Sequence, residues 1–472
     1  MMDAAIAPVH DDAGDARAFL ERALARRRVG ADGRAGLLAI AVPAPCADPL
    51  AFWRATSHER TWLWQTPSAE PVFAAAGIAA EVQGIGAERF AQVLCGLGRH
   101  PVEVHIRHGA CVDAPAPRWF GGFAFRPGAA DEPMWSCFGD AHFVLPRWTY
   151  AQRGNRAWLW LTTRLRADSC AYKVFDEYEA IVHALRGQAE TVGEAHWSIE
   201  RHEQSPRDQW VHLVQDAKRR IQCGLMRKVV LARRSTVTAD REIDPARVLS
   251  ALRLAHPHAT IFGARARGRA FVGATPELLV RLRGRQVHSE ALAGTCPAGA
   301  ALCRETLLAS PKDRHEQALV TEEILARLSP KCARIRAAAE PLAHRAGSLL
   351  HLRTAIEGEL RDEAHVLELV EQLHPTPAVG GLPSTEALRW LAEHEPSPRG
   401  WYGAPVGWVD SCGDGEFVVA LRSGLLADRS AWLYAGAGIV SGSDPDAEFE
   451  ETGWKLRVMA HAVGATGEER AP

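Results

Sequence analysis

Short apolar runs separated by turn residues dominate the first part of the chain. From about residue 35 to residue 165 this pattern predicts a series of strands, interrupted by one amphipathic helix, ERFAQVLCGLG. The predicted strands are GLLAIAV, RTWLWQT, PVEVHI, RWFGGFAF, HFVLPRWTY and RAWLWLTTRL. The helical pattern SCAYKVFDEYEAIVHALRGQ follows, and a polar stretch over residues 189–208 predicts a linker. Residues 1–200, which are rich in tryptophan, therefore form a first, sheet-building region.

The second part of the chain mixes strands with helices. The helical period predicts helices for RDQWVHLVQDAKRRIQCG, KDRHEQALVTEEILARLSP and AHVLELVEQL. Strands are predicted for RKVVLARRSTVT and LHLRTAIEGEL, and several strands joined by tight turns for the stretch from residue 259 to residue 292. Antiparallel runs with helices appended favour an α+β fold with large sheets over strict βαβ alternation. Residues 206–464 form the second region.

An acidic stretch near the C-terminus, EFEETGWK, follows a pattern typical of strand, glycine turn and helix start, with Pro445 as the first helical residue. On that helix Glu448, Glu451 and Lys455 share one face. Like charges this close repel unless a positive group holds them. The stretch is either a solvated first turn favoured by the helix dipole, with an ordinary Glu451–Lys455 pair, or part of a ligand site.

Three other charged residues are candidates for a metal ligand, a general base and a general acid. Glu316 follows a basic helix start, PKDRH, and could join Glu448 and Glu451 in an oxygen-only site for a hard cation such as magnesium. Lys228 begins an apolar strand, and a pocket that depresses its pKa would make it a base. Glu277 lies in a turn, where an apolar setting would raise its pKa and make it an acid. A charged helix start and a solvated lysine at a strand edge explain the first two equally well.

Composition narrows the functional class. The 472 residues are 47% hydrophobic and 24% charged, with a net charge of −2, which is typical of a globular protein without a global field for nucleic acid or anionic lipid. The longest apolar run is too short to span a bilayer, and no secretory signal pattern is present, so we expect a cytoplasmic protein without membrane or nucleic-acid partners. Ten scattered cysteines without C-x-x-C predict reduced, mostly buried thiols and no zinc site.

Nine ordered motifs give the chain a family resemblance. They are KVVLAR, GATPELLVR, ALAGT, SPKDRHEQALV, HLRT, LHPTPAVGG, PRGWYGAPVGW, VVALRSGLL and AGAGIVSGSDPDAEFEET with a lysine three residues on. Over about residues 206–461 the chain resembles the chorismate-utilising enzymes. The resemblance implies one intertwined α+β fold, with two large packed β-sheets and helices on the outside, so that residue 200 need not be a true domain boundary.

Motif variants within the family indicate a branch. Anthranilate synthases carry glutamine where Lys228 stands, and aminodeoxychorismate synthases carry lysine where Ala293 stands. Salicylate synthases usually read T-x-S-G-x-P-K where this chain has TPAVGGLPS, and the LHPTPAVGG form is similar to that of isochorismate synthases. The implied reaction is a reversible, Mg²⁺-dependent conversion of chorismate to isochorismate, in which water adds at ring carbon 2 and the 4-hydroxyl leaves. A salicylate synthase, which also expels pyruvate, and a non-catalytic chorismate-binding protein are the alternatives.

The resemblance also implies a biological setting. Salicylate or siderophore biosynthesis is favoured over menaquinone biosynthesis by the length and style of the first region. No glutamine amidotransferase subunit is expected, and a separate isochorismate–pyruvate lyase would act downstream in a salicylate pathway.

The same resemblance assigns roles to residues. Glu316 and Glu451 would ligate Mg²⁺, with Glu448 close by or bridged through water. Lys228 would deprotonate the attacking water, and protonated Glu277 would protonate the leaving hydroxyl. Each such proton transfer contributes roughly 10²–10⁴ in rate.

Substrate binding is implied for six residues, namely Thr295, His351, Tyr402, Arg422, Gly438 and Lys455. Lys455 would bind the ring carboxylate, which the metal ion also holds. Arg422 and Tyr402 would hold the enolpyruvyl carboxylate, with help from backbone groups near Gly438 and Thr295. His351 would lie over the ring.

Two departures from the usual family pattern stand out. Relatives usually carry E-T-C-x-K where this chain has Gly453 and Trp454, and a glycine inside a helix costs about 1 kcal/mol relative to alanine. Gln317 replaces the histidine that commonly follows the metal-binding glutamate, which could change how that glutamate is oriented. Neither departure removes a predicted catalytic group, so we expect activity.

Overall fold

The structure, a computed structural model, describes residues 7–8, 16–25, 36–56, 60–68, 70–164, 171–187, 197–298 and 303–465. In these ranges the strands are β1 (Ala7–Pro8), β2 (Leu37–Pro43), β3 (Arg60–Gln65), β4 (Val72–Ala76), β5 (Ala80–Gly84), β6 (Val102–Arg107), β7 (Trp119–Phe123), β8 (Ala141–Leu145), β9 (Trp148–Arg153), β10 (Arg156–Arg164), β11 (Ile199–Gln204), β12 (Lys228–Ala239), β13 (Thr260–Ala266), β14 (Arg269–Thr275), β15 (Leu278–Arg283), β16 (Gln286–Pro297), β17 (Cys332–Ala337), β18 (Leu342–Ala346), β19 (Leu349–Leu360), β20 (Gly381–Leu382), β21 (Pro405–Val409), β22 (Gly415–Val419), β23 (Ser423–Ala427) and β24 (Ser430–Ile439).

The helices are α1 (Ala16–Ala25), α2 (Pro49–Ala55), α3 (Arg89–Gly98), α4 (Ala171–Arg186), α5 (Arg207–Gln222), α6 (Pro245–Ala255), α7 (Cys303–Ala309), α8 (Pro311–Leu328), α9 (Val366–Leu373), α10 (Ser384–His394) and α11 (Pro445–Ala462). Within the ranges given above, one 3-10 turn is present, at Gly109–Cys111. In this part of the chain, no helix combines the length and the apolar character that crossing a bilayer requires.

The described strands form two large, mainly antiparallel sheets. One has 14 strands, ordered β1-β6-β2-β10-β9-β4-β3-β13-β14-β23-β24-β12-β11, with β20 also paired to β12. The other has 10 strands, ordered β17-β19-β16-β15-β22-β21-β7-β8-β5, with β18 also paired to β19. The prediction of an α+β fold with two large sheets is confirmed.

Both halves of the chain contribute strands to both sheets. Early strand β3 pairs with late strand β13 in the larger sheet, and β7 pairs with β21 in the smaller one. The predicted single strand HFVLPRWTY is two strands, because β8 ends before Pro146 in the smaller sheet and β9 begins after it in the larger one. Proline has no N–H to donate to a ladder, so the chain leaves one sheet there and enters the other.

A cluster of aromatic side chains joins the two sheets. It combines Trp62 and Phe271 from the larger sheet with Phe120 from the smaller one, and Trp401 packs among them from a loop. The ring centroid of Trp401 lies 6.4 Å from that of Trp62 and 6.5 Å from that of Phe271. Since truncating a buried aromatic to alanine typically costs about 3–5 kcal/mol, this cluster fixes the sheets firmly against each other.

Further expectations from sequence are wrong. Strand β11 lies within the predicted linker and pairs with β12, while residues 189–196 of that linker lie outside the described ranges. Most β11 side chains are exposed at the sheet edge, so an apolar pattern could not reveal the strand. Cys296 and Cys303 form a disulfide, since the end of β16 and the start of α7 bring their Cα atoms to 6.4 Å. Of the other described cysteines, Cys111, Cys137 and Cys332 are buried and Cys46, Cys95, Cys223 and Cys412 are exposed, so the expectation of mostly buried thiols is also wrong.

Candidate active site

The predicted site residues converge on one small cavity between the two sheets, α8 and α11. Its lining includes nine of the eleven predicted residues, namely Glu277, Thr295, Glu316, His351, Tyr402, Arg422, Gly438, Glu451 and Lys455. The other two, Lys228 and Glu448, are buried beside it. The cavity volume is about 50 Å³. That volume admits only a few water molecules, so side chains must move before a ring-sized molecule can enter.

Helix α11 presents its acidic residues as the sequence predicts. The helix begins at Pro445, and the side chain of Asp444 caps it by accepting a hydrogen bond from the backbone N–H of Ala447 at 2.9 Å. Glu451 and Lys455, one turn apart, form an ion pair at 2.6 Å, and Nζ of Lys455 also donates to the carbonyl of Gly436 at 2.9 Å. The helix continues without a break through Gly453 and Trp454. The predicted shared face is therefore confirmed.

Each predicted metal ligand is paired with a lysine. The pairs are Glu316 with Lys228 at 2.9 Å, Glu448 with Lys312 at 2.8 Å, and Glu451 with Lys455 at 2.6 Å. As the side chains stand in the described ranges, no three His, Cys, Asp or Glu residues meet closely enough to enclose a metal ion. The acidic cluster is thus balanced by an equal number of lysines, and a cation would have to compete with them for the carboxylates.

Neighbouring charges shift the pKa values of Glu316, Glu448 and Lys312. Burial would raise the pKa of Glu316, but the positive charges of Lys228, Lys455 and Lys312 outweigh it, and the pKa is lowered. Burial and the charge of Glu451 raise the pKa of Glu448, although Lys312 opposes them. Burial would lower the pKa of Lys312, yet the three glutamates together raise it. All three carboxylates therefore act on Lys312 electrostatically, which places them in one cluster.

Lys228 lies at the start of β12, directly behind the cavity wall. Its side chain has no exposed surface, and within the described residues its Nζ makes no well-aligned hydrogen bond, despite the 2.9 Å ion pair with Glu316. Gly438 on β24 allows the side chains of Lys228 and Glu316 to come this close to each other. A Cβ atom there would lie 2.5 Å from Oε1 of Glu316 and 3.0 Å from Cε of Lys228. Only glycine leaves room for both side chains at this position.

Glu277 lies in the turn between β14 and β15 and is 3% exposed. Burial raises the pKa of Glu277 to about 8, although the positive charges of Lys228 and Arg422 partly offset the effect. Its backbone N–H donates to Oγ1 of Thr275 at 3.3 Å, and its carbonyl accepts from Val419 at 3.1 Å, so the turn is held on both sides. At neutral pH this side chain is mostly a neutral carboxylic acid, which can donate a proton.

A bulge in β16 shapes the opposite wall of the cavity. The pairing with β19 shifts register there, and Gly294 has a positive φ of 68°. The ring of His351 on β19 donates from Nδ1 to the Gly294 carbonyl at 2.9 Å, with Oγ1 of Thr295 at 3.2 Å. Its Nε2 therefore accepts from the Arg422 guanidinium at 3.0 Å. Burial, and then Arg422, lowers the pKa of His351 well below its usual value, so the ring is neutral.

Arg422 and Tyr402 also line the cavity. Arg422 is buried and has a positive φ of 48°, a conformation that few residues other than glycine adopt. Burial raises the pKa of Tyr402 to about 12, so its hydroxyl stays protonated and can donate to an anion. A buried guanidinium beside a neutral imidazole and a phenol suits a carboxylate better than a neutral group.

Two supporting residues were not predicted as part of the site. Lys312 lies four residues before Glu316 on α8, and that spacing was the available signal in the sequence. Gln317, the unusual neighbour of Glu316, donates from Nε2 to the Ala291 carbonyl and to Oγ1 of Thr354, each at 2.9 Å. These bonds tie α8 to β16 and β19 and so fix the side of the helix that carries Glu316. Nothing in a single sequence indicates such a bridge between elements.

Comparison with known proteins gives a consistent result. The sequence profile of the family described as "Chorismate binding enzyme" matches residues 21–464. The salicylate biosynthesis isochorismate synthase of Pseudomonas aeruginosa is 35% identical over 98% of this chain and 97% of its own length. The isochorismate synthase MenF of Bacillus subtilis is 32% identical over 90% and 92%.

A solved structure agrees in both fold and sequence. MenF, the menaquinone-specific isochorismate synthase of Escherichia coli, superposes with a TM-score of 0.77 and 28% identity, covering 94% of this chain and 98% of that one. The chain therefore belongs to the family of chorismate-binding enzymes.

Proposed function

We propose that this chain is an isochorismate synthase that interconverts chorismate and isochorismate. Water adds at ring carbon 2, the ring double bonds rearrange, and the 4-hydroxyl departs as a second water molecule, so the reaction is an isomerisation without any redox change. The observation that carries the proposal is that a buried lysine, Lys228, and a buried glutamic acid, Glu277, whose pKa is raised to about 8, belong to the same site. Full-length similarity to two enzymes named isochorismate synthases supports it.

The two groups divide the proton transfers between them. Lys228, as the neutral amine, accepts a proton from the attacking water, and Glu277 gives its proton to the departing hydroxyl. After the forward reaction the amine is charged and the carboxyl is ionised, which are the states that the reverse reaction requires. Each proton transfer typically accelerates a reaction by roughly 10²–10⁴-fold. These two residues therefore make the largest chemical contribution of the protein to the rate.

Positive and neutral donors bind the two carboxylates of the substrate. We propose that Arg422 and the phenol of Tyr402 hold the enolpyruvyl carboxylate, and that Lys455 binds the ring carboxylate. His351, neutral and fixed by Gly294 and Arg422, lies over the ring. Backbone groups near Gly438 and Thr295 line the remaining surface. A doubly charged ligand suits a cavity that contains this many fixed donors and little solvent.

Magnesium fits the acidic residues of the site. The candidate ligands Glu316, Glu448 and Glu451 offer only oxygen atoms, which Mg²⁺ prefers, and three negative charges in one buried cluster. When bound, the ion supplies positive charge for the ring carboxylate. With Mg²⁺ bound, Glu316 would ligate the ion instead of serving as the counter-ion of Lys228. The residues present therefore fit a metal-dependent site.

Removal of one candidate ligand tests this metal site. We expect Glu451→Gln to raise the Mg²⁺ concentration for half-maximal activity by about tenfold or more, since even neighbours of metal ligands cost 10–100-fold when changed. Titration of both activity and melting temperature with Mg²⁺ measures the effect. Glu323→Gln is the matched control on α8, because Glu323 pairs with Arg327 away from the cavity. An unchanged Mg²⁺ requirement in the Glu451 variant would exclude this residue as a ligand.

The raised pKa of Glu277 predicts a pH dependence. Because the acid must be protonated, we expect kcat/KM to fall as pH rises through about 8. The folded protein also binds this proton more tightly than the unfolded chain. The free energy of unfolding should therefore decrease as pH rises from the ordinary value of 4.5 to about 8. Glu277→Gln should flatten this part of the stability profile, which denaturation at several pH values measures. A profile that is identical in the variant would contradict the assignment.

Product analysis decides between this function and its alternatives. Purified protein is incubated with chorismate and Mg²⁺, and the products are separated by chromatography, with EDTA as the control. A chorismate–isochorismate equilibrium supports the proposal. Accumulation of salicylate and pyruvate would show a salicylate synthase instead, and tight chorismate binding without turnover would show a non-catalytic binding protein.

We further propose a role in salicylate or siderophore biosynthesis, supported by the name of the Pseudomonas aeruginosa relative. A separate isochorismate–pyruvate lyase would consume the product, and no glutamine amidotransferase subunit would be needed, since water rather than ammonia is the nucleophile. We place the enzyme in the cytoplasm, and we assign the catalytic region to residues 206–464, which contain all the proposed site residues.

A further inference from the structure

A second, larger cavity lies next to the candidate site and shares no lining residue with it. Its volume is about 590 Å³, against about 50 Å³ for the candidate site. Volumes of roughly 300–1,000 Å³ are typical of small-molecule sites. The outer cavity, as we name it, is formed by the end of α6, the turn between β18 and β19, and the last turns of α11. It can hold a whole chorismate-sized molecule, which the inner cavity cannot do without side-chain movement.

The charged side chains of the outer cavity all carry or can carry positive charge. They are His256, His258, Arg345, Arg457 and His461, and its lining contains no aspartate or glutamate. Arg345 donates from Nε to the Gly347 carbonyl at 3.0 Å, and in the described ranges neither arginine forms an ion pair with a carboxylate. The C-terminal ends of α6 and α11 contribute about −0.5 charge each, which the two arginines outweigh. The cavity is therefore net positive even with neutral histidines.

The outer cavity adjoins the inner one along two shared elements. On α11 the residues Glu451 and Lys455 line the inner cavity, and Val458, one turn further on the same face, lines the outer one. On the β18–β19 hairpin, Gly347 and Ser348 line the outer cavity, and His351 follows on β19 in the inner one.

The β18–β19 turn, which lines the outer cavity, packs on an imidazole. A Cβ atom at Gly347 would lie only 2.3 Å from Nδ1 of His256, so the turn rests directly on that ring. After burial, the largest influence that lowers the pKa of His256 is the positive charge of Arg422 in the inner cavity. Arg422 of the inner cavity therefore lies near enough to His256 of the outer cavity to act on it electrostatically.

We infer that the outer cavity is a cationic vestibule, which attracts the doubly charged substrate and passes it to the inner site when the β18–β19 turn moves. The inference rests on the proposed function for the identity of the anion. Its physical basis is independent, since an unscreened positive cavity beside a buried site concentrates anions near it. Such attraction is lost as ionic strength rises, because the screening length falls to about 3 Å at 1 M salt.

A chemical probe tests the charge of the outer cavity without any catalysis. Ser348 lines the cavity, and its side chain makes no recorded hydrogen bond among the described residues, so Ser348→Cys places a thiol there. Its reaction rates are compared for dianionic dithiobis(nitrobenzoate) and for neutral dithiodipyridine, with the wild-type chain correcting for native thiols. For each thiol, the rate with the anionic reagent is divided by the rate with the neutral reagent. At about pH 8, where histidine is neutral, and at low salt, we expect this ratio to be about tenfold higher for Ser348→Cys than for a free cysteine peptide.

The charge variant Arg345→Gln/Arg457→Gln should abolish this preference. The matched control, Arg334→Gln/Arg336→Gln, removes the same charge from exposed residues of β17. Arg334 pairs with Glu359 and Arg345 with Leu350 on the same strand, β19, so the control lies about 30 Å away along it. A ratio in Ser348→Cys equal to that of the free peptide, or unaffected by the charge variant, would overturn the inference.

Kinetics then test whether the vestibule serves the inner site. In the charge variant we expect kcat/KM for chorismate to fall about five- to tenfold at low salt and less than twofold at high salt, with kcat unchanged. The control variant should have the same kcat/KM as the wild type at both salt concentrations. An active enzyme whose kcat/KM is unaffected by the charge variant would overturn the vestibule and leave the proposed function intact. A wild-type protein without turnover would refute the proposed function alone, and the thiol probe would still decide whether the cavity attracts anions.

Discussion

Replacing Glu277 with glutamine is expected to lower kcat by about 10³-fold, within the 10²–10⁴ range of general acid catalysis, while leaving the fold intact. The glutamine amide has nearly the same size and remains neutral, as the buried acid is at neutral pH, but it has no proton to give to the departing hydroxyl. Because burial already favours a neutral group at this position, the variant should be at least as stable as the wild type above neutral pH. Steady-state kinetics and denaturation measure the two effects separately.

Glu290→Gln is the matched control for this variant. Glu290 is a half-buried glutamate whose pKa is also raised by burial, and it pairs with Arg353 at 3.4 Å outside the lining of the inner cavity. Equal losses of activity in the two variants would mean that removal of any buried carboxyl near the site disturbs the enzyme. Wild-type kcat in Glu277→Gln would refute the acid role outright.

The second large effect is expected for Lys228→Met, which should lower kcat by about 10³-fold or more because the only proposed base is lost. The same change leaves the buried Glu316 without its closest counter-ion. In the absence of Mg²⁺ the free energy of unfolding should therefore fall by about 3 kcal/mol, the usual cost of removing one partner of a buried ion pair. Saturating Mg²⁺ should restore much of that stability but none of the activity, as thermal denaturation and assays with and without metal would show.

A double variant separates the two functions of this lysine. Lys228→Met/Glu316→Gln removes both charges of the pair, so its metal-free stability should exceed that of Lys228→Met, while its activity stays low. Lys331→Met is the control for the loss of a lysine–glutamate pair outside the site, since Lys331 pairs with Glu368 at 2.7 Å in a more exposed position. Substantial activity in Lys228→Met would contradict the base role, and unchanged stability would contradict the buried pair.

Features of this molecule that depend on residues close together in the chain could be predicted from its sequence. Helix α11 could be predicted because proline at its start and the i, i+3, i+7 spacing of Glu448, Glu451 and Lys455 are local features. The α+β class and most strands follow from apolar periodicity for the same reason. The roles of the site residues came from ordered motifs, and their convergence on one cavity agrees with that assignment.

What the sequence did not reveal depends on contacts between distant elements. The chain changes sheet at Pro146, yet the flanking residues form one uninterrupted apolar pattern. Strand β11 has an exposed, polar sequence, and only its pairing with β12 makes it a strand. The pairing of Lys312 with Glu448 joins two helices that are more than a hundred residues apart. Gln317 gains its function from Thr354 on another strand, so its effect on Glu316 is visible only in the folded chain.

The most direct test of the central claim is to run the reaction in water enriched in oxygen-18 and to analyse the recovered isochorismate by mass spectrometry, early enough that little has reverted. The account predicts that each product molecule carries one oxygen-18 atom, located in the hydroxyl at ring carbon 2, because that oxygen comes from the water that Lys228 activates. Unreacted chorismate at that stage should carry the normal isotope. Isochorismate without the label would mean that the hydroxyl moves within the substrate, and would contradict the water-addition mechanism.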